Sequence, residues 1–408
     1  MLMSLVGIGV LLSLAYAFSR NRSAIAWRTV AGAFALQFGL GAFVLRVPWG
    51  QSLLSSLTDG VNGLLSYANE GISFLFGKLV GEGIGFTFAF KVLPIIVFFA
   101  SLIAVLYHVG IMKWIIRIVG GALQRVLGTS KAESMSATAN IFVGQTEAPL
   151  VVKPYIASMT QSELFAVMVG GLASVAGSAL GGYAMIGVPV DYLIAACFMS
   201  APGGLLFAKM LMPETEEPKT ELPGQSDDEA PVNVIDAAAG GASSGLQLAL
   251  NVGAMLLAFV ALIALLNGVL GGIGAWVGRP DLTLELMLGW AFSPLAFLLG
   301  VPWSEAVTAG SFIGQKLVVN EFVAYLNLAP YLVEGAAGAL SPKTAAIVSF
   351  ALCGFANLSS IAILLGGLGG RAPSRRKDIA KFGLLAVMAG TMSNLMSGTI
   401  AGLFVALG

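Results

Sequence analysis

The chain has 408 residues, 57% hydrophobic and 10% charged, with zero net charge and a mean hydropathy of +0.89. Soluble domains carry about 25% charged residues, so this composition excludes a soluble core and indicates a polytopic membrane protein; zero net charge implies no nucleic-acid partner. Two cysteines in apolar runs, Cys197 and Cys353, and a single histidine, His108, argue against a disulfide framework, a zinc centre and a Ser-His-Asp triad.

Residues 2–18 are apolar and read as a first span retained from Met1 onward, since no basic segment or cleavage site precedes them. Arg20, Arg22 and Arg28 follow, then a second span over 29–45. Residues 50–85 set Gln51, Ser52, Asp59, Asn62 and Glu70 among leucines at helical spacing, the pattern of amphipathic helices at the membrane interface. A clear span over 88–109 leads into an interfacial helix carrying Lys113, Trp114, Arg117 and Arg125.

The next stretch is unlike its surroundings. Gly144-Gln145-Thr146-Glu147-Ala148-Pro149, with Lys153 and Pro154 behind it, is a short polar cluster between apolar flanks. Residues 130–142 and 148–158 are each too short to cross hydrocarbon, which needs about 20 helical residues. Two half-helices meeting at Gly144 to Glu147 would form a re-entrant hairpin over 130–158. Irregular backbone at membrane depth persists where it lines a cavity. Spans over 163–187 and 190–211 follow, the first interrupted by Ser174, Gly177 and Ser178.

Residues 213–236 hold eight acidic residues against Lys219, with Pro218, Pro223 and Pro231, and read as a flexible spacer. Beyond it come a long apolar helix near 245–270, an interfacial stretch at 281–299 and a second broken hairpin at 303–330. A glycine- and serine-broken span over 342–368 precedes Arg371, Arg375, Arg376 and Lys377, and 379–407 is the last span. The units are therefore 1–87, an N-terminal scaffold; 88–212, a first repeat; 213–244, an acidic cytoplasmic linker; and 245–408, a second repeat. Placing the basic clusters in the cytoplasm gives eight spans, both termini outside, and hairpins that open from opposite faces.

An internal repeat supports that topology. Ser136–Gln145 aligned with Ala306–Gln315 matches Thr, Ala, Phe, Gly and Gln, five of ten positions. Inverted repeats with discontinuous helices are a mark of secondary transporters, whose substrate sits where the breaks converge. The fold class expected is thus an all-α polytopic membrane protein with two re-entrant helical hairpins and two broken transmembrane helices.

Gln145, Thr146 and Glu147 offer one set of donors and acceptors; Glu321, Asn357 and Ser360 offer another. No Lys or Arg is expected at either break, so the ligand should be neutral and rich in hydrogen-bonding groups. Phe355 either flanks a ring of that ligand or packs in the core. Asn140 and Ser174 are hard oxygen donors suited to an alkali cation, though such residues also serve as hydrogen-bond links between membrane helices. No ATP-binding motif is present, so an ion gradient would drive transport. A membrane enzyme using Glu147 and Glu321 as acid and base would be the reading from another class. It lacks a nucleophile-base or metal constellation.

Three motifs, Gly144-Gln145-Thr146-Glu147-Ala148-Pro149, Asn320-Glu321-Phe322-Val323-Ala324-Tyr325, and Ala351-Leu352-Cys353-Gly354-Phe355-Ala356-Asn357 with Ser359-Ser360, resemble the concentrative nucleoside transporters in their bacterial eight-span form. The resemblance covers nearly the whole chain. It implies a homotrimer in a bacterial inner membrane that imports nucleosides such as uridine by sodium symport, with proton coupling or another neutral polar solute as alternatives. It implies that Gln145, Thr146 and Glu147 hold the base, that Glu321, Asn357 and Ser360 hold the ribose, and that Phe355 lies close to the sugar. It further implies a sodium ion bounded by Asn140, Val143, Ser174 and Val175. Leu358 and Ala362 depart from the Phe and Gly of many relatives, which leaves base preference open.

Overall fold

Local signals in the sequence account for where most helices begin and end. The computed structural model describes residues 2–81, 87–219, 231–276, 278–336 and 338–407, and among these it contains eighteen α-helices and no strand. The first third comprises α1 (Leu2–Ala17), α2 (Trp27–Arg46), α3 (Pro48–Phe76), α4 (Phe88–Lys91), α5 (Leu93–His108) and α6 (Ile111–Leu127). The first hairpin follows with α7 (Lys131–Ala139) and α8 (Lys153–Ile156), then α9 (Gln161–Ala173), α10 (Gly177–Ile186) and α11 (Val190–Leu211). The remainder is α12 (Val234–Trp276), α13 (Leu284–Leu298), α14 (Trp303–Val318), α15 (Glu321–Leu328), α16 (Pro342–Leu352), α17 (Ser360–Arg371) and α18 (Arg376–Val405).

Ser130 and Glu133 form a reciprocal capping box that starts α7, and Thr160 with Glu163 does the same for α9. Asn320 caps α15 by accepting from the Val323 N–H at 2.9 Å. Gly110 and Gly128, at φ +87° and +68°, bound α6 on either side.

Among the described residues, six segments are long and apolar enough to cross a membrane: α2, α4–α5, α9–α10, α11, α12 and the segment ending in α18. α1, α16 and α17 are apolar but shorter than that length. α13 and α14 meet at a 115° bend, too sharp for one straight crossing.

Burial separates the spans into two groups. α9–α10 and α11 are 94% buried along their spanning windows, whereas α2, α5 and α12 are 28%, 22% and 17% buried. The inner group includes the buried Ser178 and Tyr183 of α10; the outer group presents apolar side chains such as Leu250, Leu257 and Leu265 outward. α5 and α12 approach closely because Gly241 and Gly245 face Ala104 and Ala100: a Cβ on either glycine would lie 2.6–2.7 Å from the facing alanine Cβ. Small residues four apart are how membrane helices reach such contact.

Contacts between distant segments gather the basic clusters at one end of the molecule. The Arg20 N–H donates to Leu211 O at 2.9 Å, Thr29 Oγ1 to Leu127 O at 2.7 Å, and Arg375 Nη1 to Met159 O at 2.5 Å. There the buried Lys209 pairs with Glu133 at the base of the first hairpin and donates to Ser162 Oγ at 2.8 Å.

Four features differ from the sequence expectation. Residues 50–85 do not hold several amphipathic helices; α3 is one helix of 29 residues, and 82–86 lie outside the described residues. α12 begins at Val234, inside the stretch read as linker, while 220–230 lie outside the described residues. The second arm of the first hairpin is a 3-10 segment, Ala148–Val152, followed by the single turn of α8. Pro149 and Pro154 explain it, since each removes a backbone donor and fits only a first helical turn. Finally, the repeat register found by residue matching is not the register of the breaks. α7 ends at Ala139, whereas α14 runs through Gly314 and Gln315 to Val318.

Candidate functional site

The site forms where four interruptions of helix meet: the tip of the first hairpin, the gap between α14 and α15, and the breaks in α9–α10 and α16–α17. Each break exposes backbone groups that a continuous helix would pair internally. They are satisfied by one another. Ser174, extended at φ −113° and ψ 171°, accepts at its carbonyl from the Phe355 N–H at 3.1 Å, so the two broken spans are joined at their breaks. The Gly177 N–H donates to Phe142 O at 3.0 Å, which fastens the first hairpin to the α9–α10 break.

A chain of polar side chains runs across this junction. Gln145 Nε2 donates to Ser360 Oγ at 3.4 Å, and the Ser360 N–H donates to Asn357 Oδ1 at 2.9 Å. Asn357 Nδ2 donates to Glu321 Oε2 at 3.0 Å, and the Tyr183 hydroxyl donates to Glu321 Oε1 at 3.1 Å. Gln145, Glu321, Asn357 and Ser360 are all buried. Both Glu321 oxygens thus accept from protein groups, and a carboxylate, with about four lone-pair sites, has capacity for a ligand hydroxyl as well. Gln145 Oε1 is buried with no hydrogen-bond partner. An unsatisfied buried acceptor costs about 1–3 kcal/mol, and a ligand N–H would remove that cost.

The remaining expected residues fall into the same region. Glu147 Oε2 accepts from the Gly144 N–H at 3.2 Å and so also closes the hairpin turn. The Phe355 ring lies over Gly144, its Cε2 3.9 Å from where a Cβ there would stand. Thr146 turns its methyl toward α17, 2.9 Å from the position of a Cβ on Gly367.

The four positions suggested for a cation are also brought together. Asn140 ends α7 and packs against Gly170, Gly144 packs against Ala176, and Ser174 and Val175 form the α9–α10 break. Asn140 Nδ2 donates to Ser136 O at 2.9 Å, which leaves Oδ1 buried without a partner. Ser174 Oγ donates to Gly170 O at 3.0 Å and retains its lone pairs. This neutral oxygen set fits a hard monovalent cation. Among the described residues no group of three His, Cys, Asp or Glu could hold a metal ion.

Three residues of the junction escaped the sequence reading. Tyr183 reaches Glu321 from the end of α10. Asn394, in mid-α18, donates through Nδ2 to Ala173 O at 2.6 Å and to Cys353 O at 2.9 Å, clamping both breaks at once. Lys316, one residue after Gln315, is a correction: the sequence reading placed no Lys or Arg at a break, yet its buried ammonium reaches Asn394 Oδ1 at 2.6 Å and Ala351 O at 3.2 Å. Gln315 itself is not equivalent to Gln145. It lies within α14 and binds Ser311 and Asn327. A polar residue in mid-span was the available signal for Asn394 and Lys316, since such residues are costly in a membrane and concentrate at functional positions.

Two joined helix breaks and a buried polar array are features of secondary transporters. Three family models match the chain: "Na+ dependent nucleoside transporter N-terminus" over residues 6–79, "Nucleoside recognition" over 89–189, and "Na+ dependent nucleoside transporter C-terminus" over 192–402. The chain belongs to the Na+-dependent nucleoside transporter family. It is 60% identical to an uncharacterized transporter of Haemophilus influenzae, covering 100% of this chain and 98% of that one. It is 55% identical to the nucleoside permease NupC of Helicobacter pylori, again over 100% of this chain and 98% of the relative. Among solved structures it resembles CNTnw in an inward-facing substrate-bound state, with a TM-score of 0.96 at 61% identity over 100% of this chain and 98% of that one. The protein is therefore a multi-pass membrane transporter and not an enzyme.

Proposed function

We propose that this protein imports nucleosides, uridine among them, by symport with sodium across a bacterial inner membrane, as a homotrimer. The first hairpin enters from the cytoplasmic face and the second from the outer face. Substrate is held between them and released by alternating access. Gln145, Thr146 and Glu147 read the base; Glu321, Asn357 and Ser360 bind the ribose hydroxyls, with Phe355 against the sugar. The observation that carries this reading is the continuous array from Gln145 through Ser360 and Asn357 to Glu321, with Gln145 Oε1 left unpaired at its base-reading end.

Sodium binds among Asn140, Val143, Ser174 and Val175 and travels with the nucleoside as cargo. The unpaired Asn140 Oδ1, beside a break that frees carbonyls, supports this choice over a proton. A bound cation there would fix the first hairpin against α9–α10 and so prepare Gln145 for the base. The test is uptake of labelled uridine into proteoliposomes, with the recovered label checked for chemical change and with cytidine, adenosine and glucose as competitors. Competition by nucleosides alone supports the reading. Equal competition by glucose would make the substrate another polar solute, and a chemically altered product would indicate an enzyme.

A further inference from the structure

α2 belongs to the outer group of spans, yet one stripe of it, Ala33, Gln37 and Gly41, is buried where the helix packs on α11 and α18. Small residues let the helices approach closely. A Cβ on Gly41 would lie 2.7 Å from Ile400 Cγ2 of α18, and one on Gly203 of α11 would lie 2.5 Å from both Gln37 Nε2 and Ser393 Oγ. Gln37 Nε2 donates to Ser393 O at 3.2 Å and to Ser397 Oγ at 2.9 Å. Its Oε1 has no partner, and neither has Ser393 Oγ, although both side chains are buried.

Buried polar atoms are nearly always paired, so two unpaired ones in a single helix contact need a reason. The sequence of α18 supplies one. Gln37 binds a serine hydroxyl together with the carbonyl four residues before it. Ser393 lies one turn before Ser397, and Ala389 one turn before that. Sliding α18 by one turn, about 5–6 Å, toward its C-terminal end would present Ser393 Oγ and Ala389 O to Gln37 with the same chemistry. One-turn shifts of one packed element past another are an established kind of conformational change. Asn394, next to Ser393, binds Ala173 O and Cys353 O, so α18 would carry both helix breaks with it.

We propose that Gln37 is a two-position latch between α2 and α18, engaging Ser397 in one state and Ser393 in the other, and that it sets the two positions between which the nucleoside site moves. This rests on the alternating-access reading and deepens it. Gln37 is a positioning residue, acting on the substrate residues only through α18.

The test places spin labels on Ala35→Cys in α2 and Leu384→Cys in α18, both at exposed positions, while the native Cys197 and Cys353 are buried. Distances within single protomers are measured after mixing labelled with unlabelled chains, and uridine uptake is measured on the same protein. Two distance populations are expected. Ser393→Ala should enrich the one described here and Ser397→Ala the other, each by about three- to ten-fold, as the loss of one hydrogen bond gives. Gln37→Leu should cancel both shifts. Ser393→Ala discriminates most sharply, because Ser393 Oγ bonds nothing in this state and a serine that merely packs would leave the ratio unchanged. A single distance in an active transporter, shifts in the same direction, or an unchanged ratio in Ser393→Ala overturns the proposal. Should Ser397→Ala fail to fold, Ser393→Ala decides alone. A wild-type protein that moves no uridine would instead sink the transport reading.

Discussion

The Tyr183 hydroxyl donates to Glu321 Oε1 at 3.1 Å, joining α10 to the start of α15. The Tyr183 ring is fully buried and packs against Phe322 and Tyr325, with centroids 4.6 and 4.8 Å away, so its hydroxyl has little freedom to turn elsewhere. It fixes one carboxylate oxygen while Asn357 fixes the other. A hydrogen bond to a charged group is worth about 1.5–3 kcal/mol. Tyr183→Phe should therefore raise the uridine KM about ten-fold while leaving folding intact. An unchanged KM would mean that the contact plays no part in orienting Glu321.

Glu321 itself should be harder to replace. Its carboxylate is expected to accept from ribose hydroxyls with the capacity that Tyr183 and Asn357 leave free. Glu321→Ala should nearly abolish uridine uptake, and 3′-deoxyuridine should compete poorly for the wild-type transporter. Equal competition by the deoxy compound would remove the ribose from this carboxylate.

The hairpin tip offers a steric test. A Cβ on Gly171 would lie 2.8 Å from Gln145 Cβ and 3.1 Å from its Cα, whereas a Cβ on Gly9 would meet nothing within 4 Å. Gly171→Ala should displace the tip and lower uptake, changing the ranking of nucleosides, even though alanine favours helix by about 1 kcal/mol over glycine. Gly9→Ala should leave uptake unchanged. A Gly171→Ala transporter with wild-type uptake and ranking would show that the tip does not read the base.

Much of this architecture was legible because membrane-spanning helices announce themselves by length and apolarity, and because breaks in them carry Gly, Pro, Ser and Asn. The hairpin tip at Gly144, the break after Ala173 and the break around Asn357 were all visible that way. Their convergence was suggested by the repeat, but its exact register was not. Matching Gln145 to Gln315 paired a tip with a mid-helix position, because α14 continues to Val318. Residues that act by reaching across the fold, Tyr183, Lys316 and Asn394, carry no local mark of their partners. Each lies in an apolar helix whose sequence says only that a polar group is buried there.

Sodium affinity should respond at the first hairpin more than maximal rate does. Asn140→Ala and Ser174→Ala each remove one neutral oxygen from the proposed cation site. Both should raise the sodium concentration for half-maximal uridine uptake several-fold, with each lost oxygen contact worth about 1 kcal/mol, and uptake should recover at saturating sodium. A fall in maximal uptake with unchanged sodium dependence would assign these residues to helix packing alone.

The central claim, sodium-coupled nucleoside import, is tested most directly by labelled uridine uptake into proteoliposomes with external sodium replaced by choline, with and without an imposed pH gradient. The account predicts accumulation with an inward sodium gradient and none in choline, whether or not the pH gradient is present. Full accumulation in choline driven by the pH gradient would contradict it and make a buried carboxylate such as Glu147 or Glu321 the candidate proton carrier.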